Sequence, residues 1–88
     1  MNKMKYVEIP MIVIQDNSIS STAKVVMGLI TTLSMKDGFC FASNRYLSNI
    51  LNVSKRTITS CITSLKDKKY INIKNEINKR KIYLANII

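Results

Sequence analysis

Eighty-eight residues, 47% apolar and 22% charged, leave room for one domain and lie well outside the composition of disordered chains. The net charge of +9 points to a polyanionic partner, because so positive a surface repels itself. Nine basic residues between Lys55 and Lys81 face only Asp67 and Glu76, a balance of +7, while the other 61 residues carry +2.

The inventory offers little for catalysis. There is no His, the five acids are scattered, and two glycines make no phosphate loop. Cys40 and Cys61 lack a partner base and any Cys-x-x-Cys spacing. No catalytic residue, metal ligand or cofactor is therefore expected. Both cysteines sit in apolar stretches with no secretory signal before them, so they read as reduced core residues of a cytoplasmic protein. The longest apolar run, residues 9–14, is far short of the roughly 20 residues a membrane helix needs.

Residues 5–14 read as extended, with Tyr6-Val7-Glu8-Ile9 rich in strand formers and Pro10 interrupting any central ladder. They belong to an extended N-terminal arm over residues 1–19 of a single domain spanning 1–88. Asp16 and Asn17 turn the chain, and the hydroxyls of Ser20-Ser21-Thr22 cap a first helix over residues 21–35. Its stripe is Ala23, Val26, Met27, Ile30 and Leu33. Lys36-Asp37-Gly38 ends it, and Phe39-Cys40-Phe41 is a short strand.

Ser43 caps a second helix of about eight residues, too short to persist without tertiary packing, and Tyr46, Leu47, Ile50 and Leu51 are its expected buried side. Phe41 and Tyr46 are assigned to the core. After a turn at Asn52-Val53, Ser54 caps a third helix reaching Lys68 or Lys69. This helix carries two faces: Ile58, Cys61, Ile62 and Leu65 recur at i, i+3, i+4, i+7, while Arg56, Thr59, Ser60 and Thr63 turn the other way. The period then changes, and residues 70–84 read as a β-hairpin with a loop over residues 75–78.

Helix, short strand, two helices and a hairpin, preceded by an extended arm, make a mainly α fold with a small β-hairpin: a winged helix with a three-helix core. The stretch 29–71 carries a resemblance in Lys36-Asp37-Gly38-Phe39-Cys40-Phe41-Ala42-Ser43-Asn44, Tyr46-Leu47, Val53-Ser54-Lys55-Arg56-Thr57-Ile58 and the exit Lys68-Lys69-Tyr70-Ile71. It resembles the winged helix domains of plasmid and phage replication initiators and of related small bacterial or phage DNA-binding regulators.

The resemblance implies double-stranded DNA as partner, serving transcription regulation or replication initiation. On the third helix Ser54, Lys55, Arg56, Thr57, Thr59, Ser60 and Thr63 are the candidate contacts, with Arg56 suited to bidentate reading of guanine and Lys55 to phosphate. Asn44 and Arg45 open the second helix, which in helix-turn-helix proteins crosses the backbone. The wing adds Lys74, Asn75, Asn78, Lys79 and Arg80, placed to follow the backbone or enter the minor groove. Lys66, Lys68 and Lys69 instead complement the helix dipole.

A second reading from a different class is a phage- or plasmid-encoded protein-interaction module that inhibits or recruits a host nucleic-acid enzyme, with the basic face meeting an acidic partner. RNA reading fits less well, because it draws on exposed stacking aromatics, and the aromatics here are 7% and assigned mostly to the core. The apolar arm and the tail over residues 85–88 either pack on the domain's own core or pair with a second copy as a homodimer.

Overall fold

Three serines start three helices by the same device. Ser20, Ser43 and Ser54 are each extended at the backbone, and each side chain accepts the amide three residues on, from Ala23 at 3.1 Å, Tyr46 at 3.0 Å and Thr57 at 3.0 Å. The computed structural model describes residues 5–77 and 79–85. Its elements in chain order are α1 (Met11–Ile14), α2 (Ser21–Ser34), α3 (Asn44–Leu51), α4 (Lys55–Asp67), β1 (Ile71–Glu76) and β2 (Lys79–Leu84). The fold is mainly α with an antiparallel hairpin at its C-terminal side, a winged helix-turn-helix arrangement.

The helices stop where the backbone turns left-handed. Asn52 (φ 57°) ends α3, and Lys69 (φ 64°) ends α4, where the amides of Lys69 and Tyr70 return to the carbonyls of Lys66 and Leu65 at 2.9 and 3.0 Å. Asn tolerates this conformation readily, whereas Lys69 is held there by the bonds that close the helix. Gly38 (φ 83°) supplies the same conformation after α2, where its amide returns to Ser34 at 2.8 Å.

α4 packs against both α2 and α3, and the core lies among them. All four residues of its expected apolar stripe are buried, Ile58 and Leu65 completely. From α2 the core takes Ala23, Val26, Met27, Leu29 and Ile30, from α3 Leu47, and from the hairpin Ile71 and Ile82. Burying this set out of water is the main favourable term holding the helices to the wing.

The extended reading of residues 5–14 is corrected at Met11. Residues 5–10 carry no regular structure, but Met11–Ile14 form one helical turn, because Pro10 fixes φ at −56° before it and the Pro10 carbonyl accepts from Val13 and Ile14 at 3.0 and 3.1 Å. Val13 is thereby driven fully into the core. Ahead of the turn, Val7 and Ile9 lie over Gly28 of α2, so closely that a Cβ there would meet Ile9 Cγ1 at 2.7 Å and Val7 Cγ2 at 2.9 Å. The Glu8 amide donates to Thr32 Oγ1 at 3.1 Å. Within residues 5–14 the arm packs on its own domain. The last three residues of the tail lie outside the described residues.

Three aromatic or apolar side chains expected in the core are exposed instead: Phe41 at 64%, Ile50 at 40% and Tyr46 at 38%. The reason for α3 is geometric. With eight residues and α4 as its chief packing partner, only Leu47 and Ser48 are buried, and the flanking positions remain at the rim. For Phe41 the reason lies in the expected strand over 39–41, which is reduced to a single bridge: Cys40 pairs with Ile82 through two 2.8 Å hydrogen bonds and is buried, while Phe41 beside it is left outside the core.

The hairpin register runs from Ile71↔Leu84 to Glu76↔Lys79, so the ladder reaches further than the expected loop over 75–78 allowed. Asn75 is paired with Arg80 within it. Alternation gives the wing an inner face, Ile71, Ile73, Ile82 and Leu84 against the core, and an outer face bearing Lys74, Lys81 and Tyr83.

Candidate nucleic-acid interface

α4 is anchored by one side in the core, and its other side is exposed. Ile58, Cys61, Ile62 and Leu65 are buried, and Lys55, Arg56, Thr59, Ser60 and Thr63 are exposed on the opposite face. Ser54 is occupied as the cap, and Thr57 is half-buried, its hydroxyl 3.0 Å from that of Ser54. Burial raises the thiol pKa of both Cys40 and Cys61, which keeps them protonated and unreactive.

The structure brings Asn44, Thr59 and Arg80, distant in sequence, into one network. Arg80 donates to Asn44 Oδ1 at 2.7 Å and to the Ala42 carbonyl at 2.6 Å, while the Asn44 amide donates to Thr59 Oγ1 at 3.2 Å. Thr59 in turn donates to the Lys55 carbonyl at 3.0 Å. Wing, α3 and α4 are thus joined through side chains that sequence reading assigned to a partner. Burial lowers the pKa of Arg80, although the two acceptors occupy its guanidinium fork.

The other candidates divide by position. Arg45 is exposed on α3, and Lys74, Asn75 and Lys79 are exposed on the wing, while Asn78 lies outside the described residues. Lys74 Nζ lies 5.7 Å from the Tyr83 ring centroid. Lys81, which sequence reading passed over, sits 3.1 Å from Glu76 Oε1 and 4.8 Å from the Phe39 ring centroid. The hydrogen bond to Glu76 raises its pKa. At the far end of α4, Lys68 lies 3.7 Å from Asp16 Oδ2, and Tyr70 donates its hydroxyl to the same oxygen at 2.6 Å. That end of the helix is tied to the turn after α1, a role sequence position alone does not reveal.

The exposed aromatics Phe41 and Tyr46 were also missed, although the two-residue period through Phe39-Cys40-Phe41 carried the signal for Phe41. Two open grooves adjoin Phe41. One of about 790 Å³ runs past Leu33, Lys36 and Tyr46. The other, about 670 Å³, is lined by Phe39 and Phe41 and by Lys79, Arg80 and Lys81.

α3 and α4 are two helices joined by a tight turn, and the family model described as Helix-turn-helix domain matches residues 17–71, more than half of the chain. The chain belongs to this helix-turn-helix family. The match takes in α2, α3 and α4 and ends at the first residue of the wing, Ile71. A helix-turn-helix domain is a DNA-binding module. No curated protein and no solved structure gave a match. Among the described residues, no helix is long and apolar enough to cross a membrane.

Proposed function

We propose that this helix-turn-helix protein binds double-stranded DNA sequence-specifically, with α4 in the major groove and the wing on the adjacent backbone or minor groove. The observation that carries the reading is the division of α4 into a buried stripe and an exposed face bearing Lys55, Arg56, Thr59, Ser60 and Thr63. Arg56 reads base edges, Lys55 and Arg45 hold phosphates, and Lys74 and Lys79 extend the contact along the wing. Asn44 and Arg80 serve by fixing the angle between wing and α4. The use is transcription regulation or replication initiation in a phage or plasmid setting, within the cytoplasm.

Selection of bound duplexes from a random-sequence pool tests this directly. An enriched motif supports sequence-specific reading, and a two-fold symmetric motif would report a homodimer with half-sites about 34 Å apart. A pool that stays random after repeated rounds contradicts sequence-specific binding.

A further inference from the structure

Cys40 bridges to Ile82, and this one pairing extends the outer face of the wing by a third row. Phe39 and Phe41 then stand beside Tyr83 and Lys81, with ring centroids 6.0 Å apart for Phe39 and Phe41 and 5.6 Å apart for Phe39 and Tyr83. Lys81 covers the Phe39 ring. Phe41, 64% exposed, leaves its ring to solvent at the edge of the 670 Å³ groove that Lys79, Arg80 and Lys81 also line.

We infer that this groove takes an unpaired nucleotide of a DNA strand that continues from the duplex, with its base stacked on Phe41 and its phosphate held by Lys79. The inference rests on the DNA-binding reading above and names the form of DNA that the site prefers: a junction between duplex and single strand. Three features favour this occupant. No acid lines the groove, and Glu76, the acid on this face of the hairpin, is already paired with Lys81. Its volume falls within the range that holds a small ligand such as a nucleotide. An exposed ring beside cations that track a backbone is the combination by which single strands are bound, since every base offers a π-face. Asn44 and Arg80 line the groove and also join the wing to α3 and α4, so the groove opens next to the helix that meets the duplex.

The test compares the full chain on three labelled DNAs by fluorescence anisotropy: a blunt duplex, the same duplex with a four-nucleotide single-stranded overhang, and that overhang carrying 2-aminopurine at its first unpaired position. The overhang should tighten binding about fivefold or more, the effect of one stacked base, and 2-aminopurine emission should fall as the base stacks. Phe41→Ala should erase the overhang advantage and the emission change, and leave blunt-duplex affinity as it was. Phe41→Trp should keep both effects. Circular dichroism should show both variants folded, as the exposure of the ring allows. Equal affinity for blunt and overhanging duplex, or an advantage that survives Phe41→Ala, overturns the inference. The blunt duplex reports separately on the DNA-binding reading, which fails if that duplex does not bind at low salt.

Discussion

Arg80 of the wing donates to Asn44 Oδ1 of α3 at 2.7 Å, and Asn44 passes the connection to Thr59 of α4 at 3.2 Å. The wing is therefore fastened to the helix pair by side chains as well as by its apolar inner face. Single substitutions Arg80→Ala and Asn44→Ala each remove the shared hydrogen bond, so their effects on stability should not add. In a double-mutant cycle read by urea unfolding, the coupling should fall within about 0.5 to 3 kcal/mol. Arg80→Lys should not restore stability, because one ammonium cannot span Asn44 Oδ1 and the Ala42 carbonyl as the planar fork does. Additive single effects would show the contact to be energetically idle.

Acid should weaken the junction between the turn after α1 and the end of α4. The Ser18 hydroxyl, the Tyr70 hydroxyl at 2.6 Å and the Ser18 amide at 2.8 Å hold the Asp16 carboxyl well below the usual carboxylate range, with Lys68 adding a charge. A carboxyl whose folded pKa is depressed stabilises the fold fully above its unfolded value, about 3.9, and loses that contribution as pH falls toward the folded value. The gap in unfolding midpoint between the wild type and Asp16→Asn should be constant from about pH 5 to 7 and shrink below about pH 4. A gap that does not change with pH would contradict the assignment. Tyr70 moves oppositely: its hydrogen bond to Asp16 raises its pKa, so that contribution is present below the usual phenol value and lost as pH rises through the raised one.

The arm should be separable from the rest of the fold. Gly28→Ala adds a Cβ where Ile9 Cγ1 and Val7 Cγ2 already stand, at 2.7 and 2.9 Å. The helix itself gains from alanine by roughly 1 kcal/mol. The clash should nevertheless lift the arm, and hydrogen exchange should show the Glu8 amide losing protection while α4 amides keep theirs. Unchanged protection at Glu8 would mean that the arm accommodates the methyl without moving.

How much of this was legible in the sequence depends on what each residue's position is decided by. The stripe Ile58, Cys61, Ile62 and Leu65 and the caps Ser43 and Ser54 are local signals, set by a 3.6-residue period and by hydroxyls before helix starts, and the fold follows them. Tyr46, Ile50 and Phe41 were misplaced because apolar character says that a side chain gains by burial, not that a neighbour is present to bury it. The helical turn at Met11 was hidden because the strand propensity of Ile and Val competed with Pro10, and packing on α2 decided the matter. The Asn44–Arg80 contact spans 36 residues, and only the register Asn75↔Arg80, which turns Arg80 toward the inner side of the wing, brings the two together.

The two faces of α4 should answer to different measurements. Ile58→Ala empties a fully buried position and should cost about 2 to 5 kcal/mol of stability by urea unfolding. Lys55→Gln, on the exposed face, should stay within about 0.5 kcal/mol of wild-type stability and reduce the slope of log affinity against log salt by about one. A slope left unchanged would remove Lys55 from the phosphate contacts.

The claim that α4 reads DNA is tested most directly by an anisotropy titration of the selected duplex against the wild type and Arg56→Ala across several salt concentrations. The wild type should bind at low salt and lose affinity linearly in log salt, and Arg56→Ala should weaken binding by about 1 to 3 kcal/mol with its unfolding midpoint unchanged. No binding at low salt, an affinity indifferent to salt, or an Arg56→Ala variant that binds as the wild type does would contradict it.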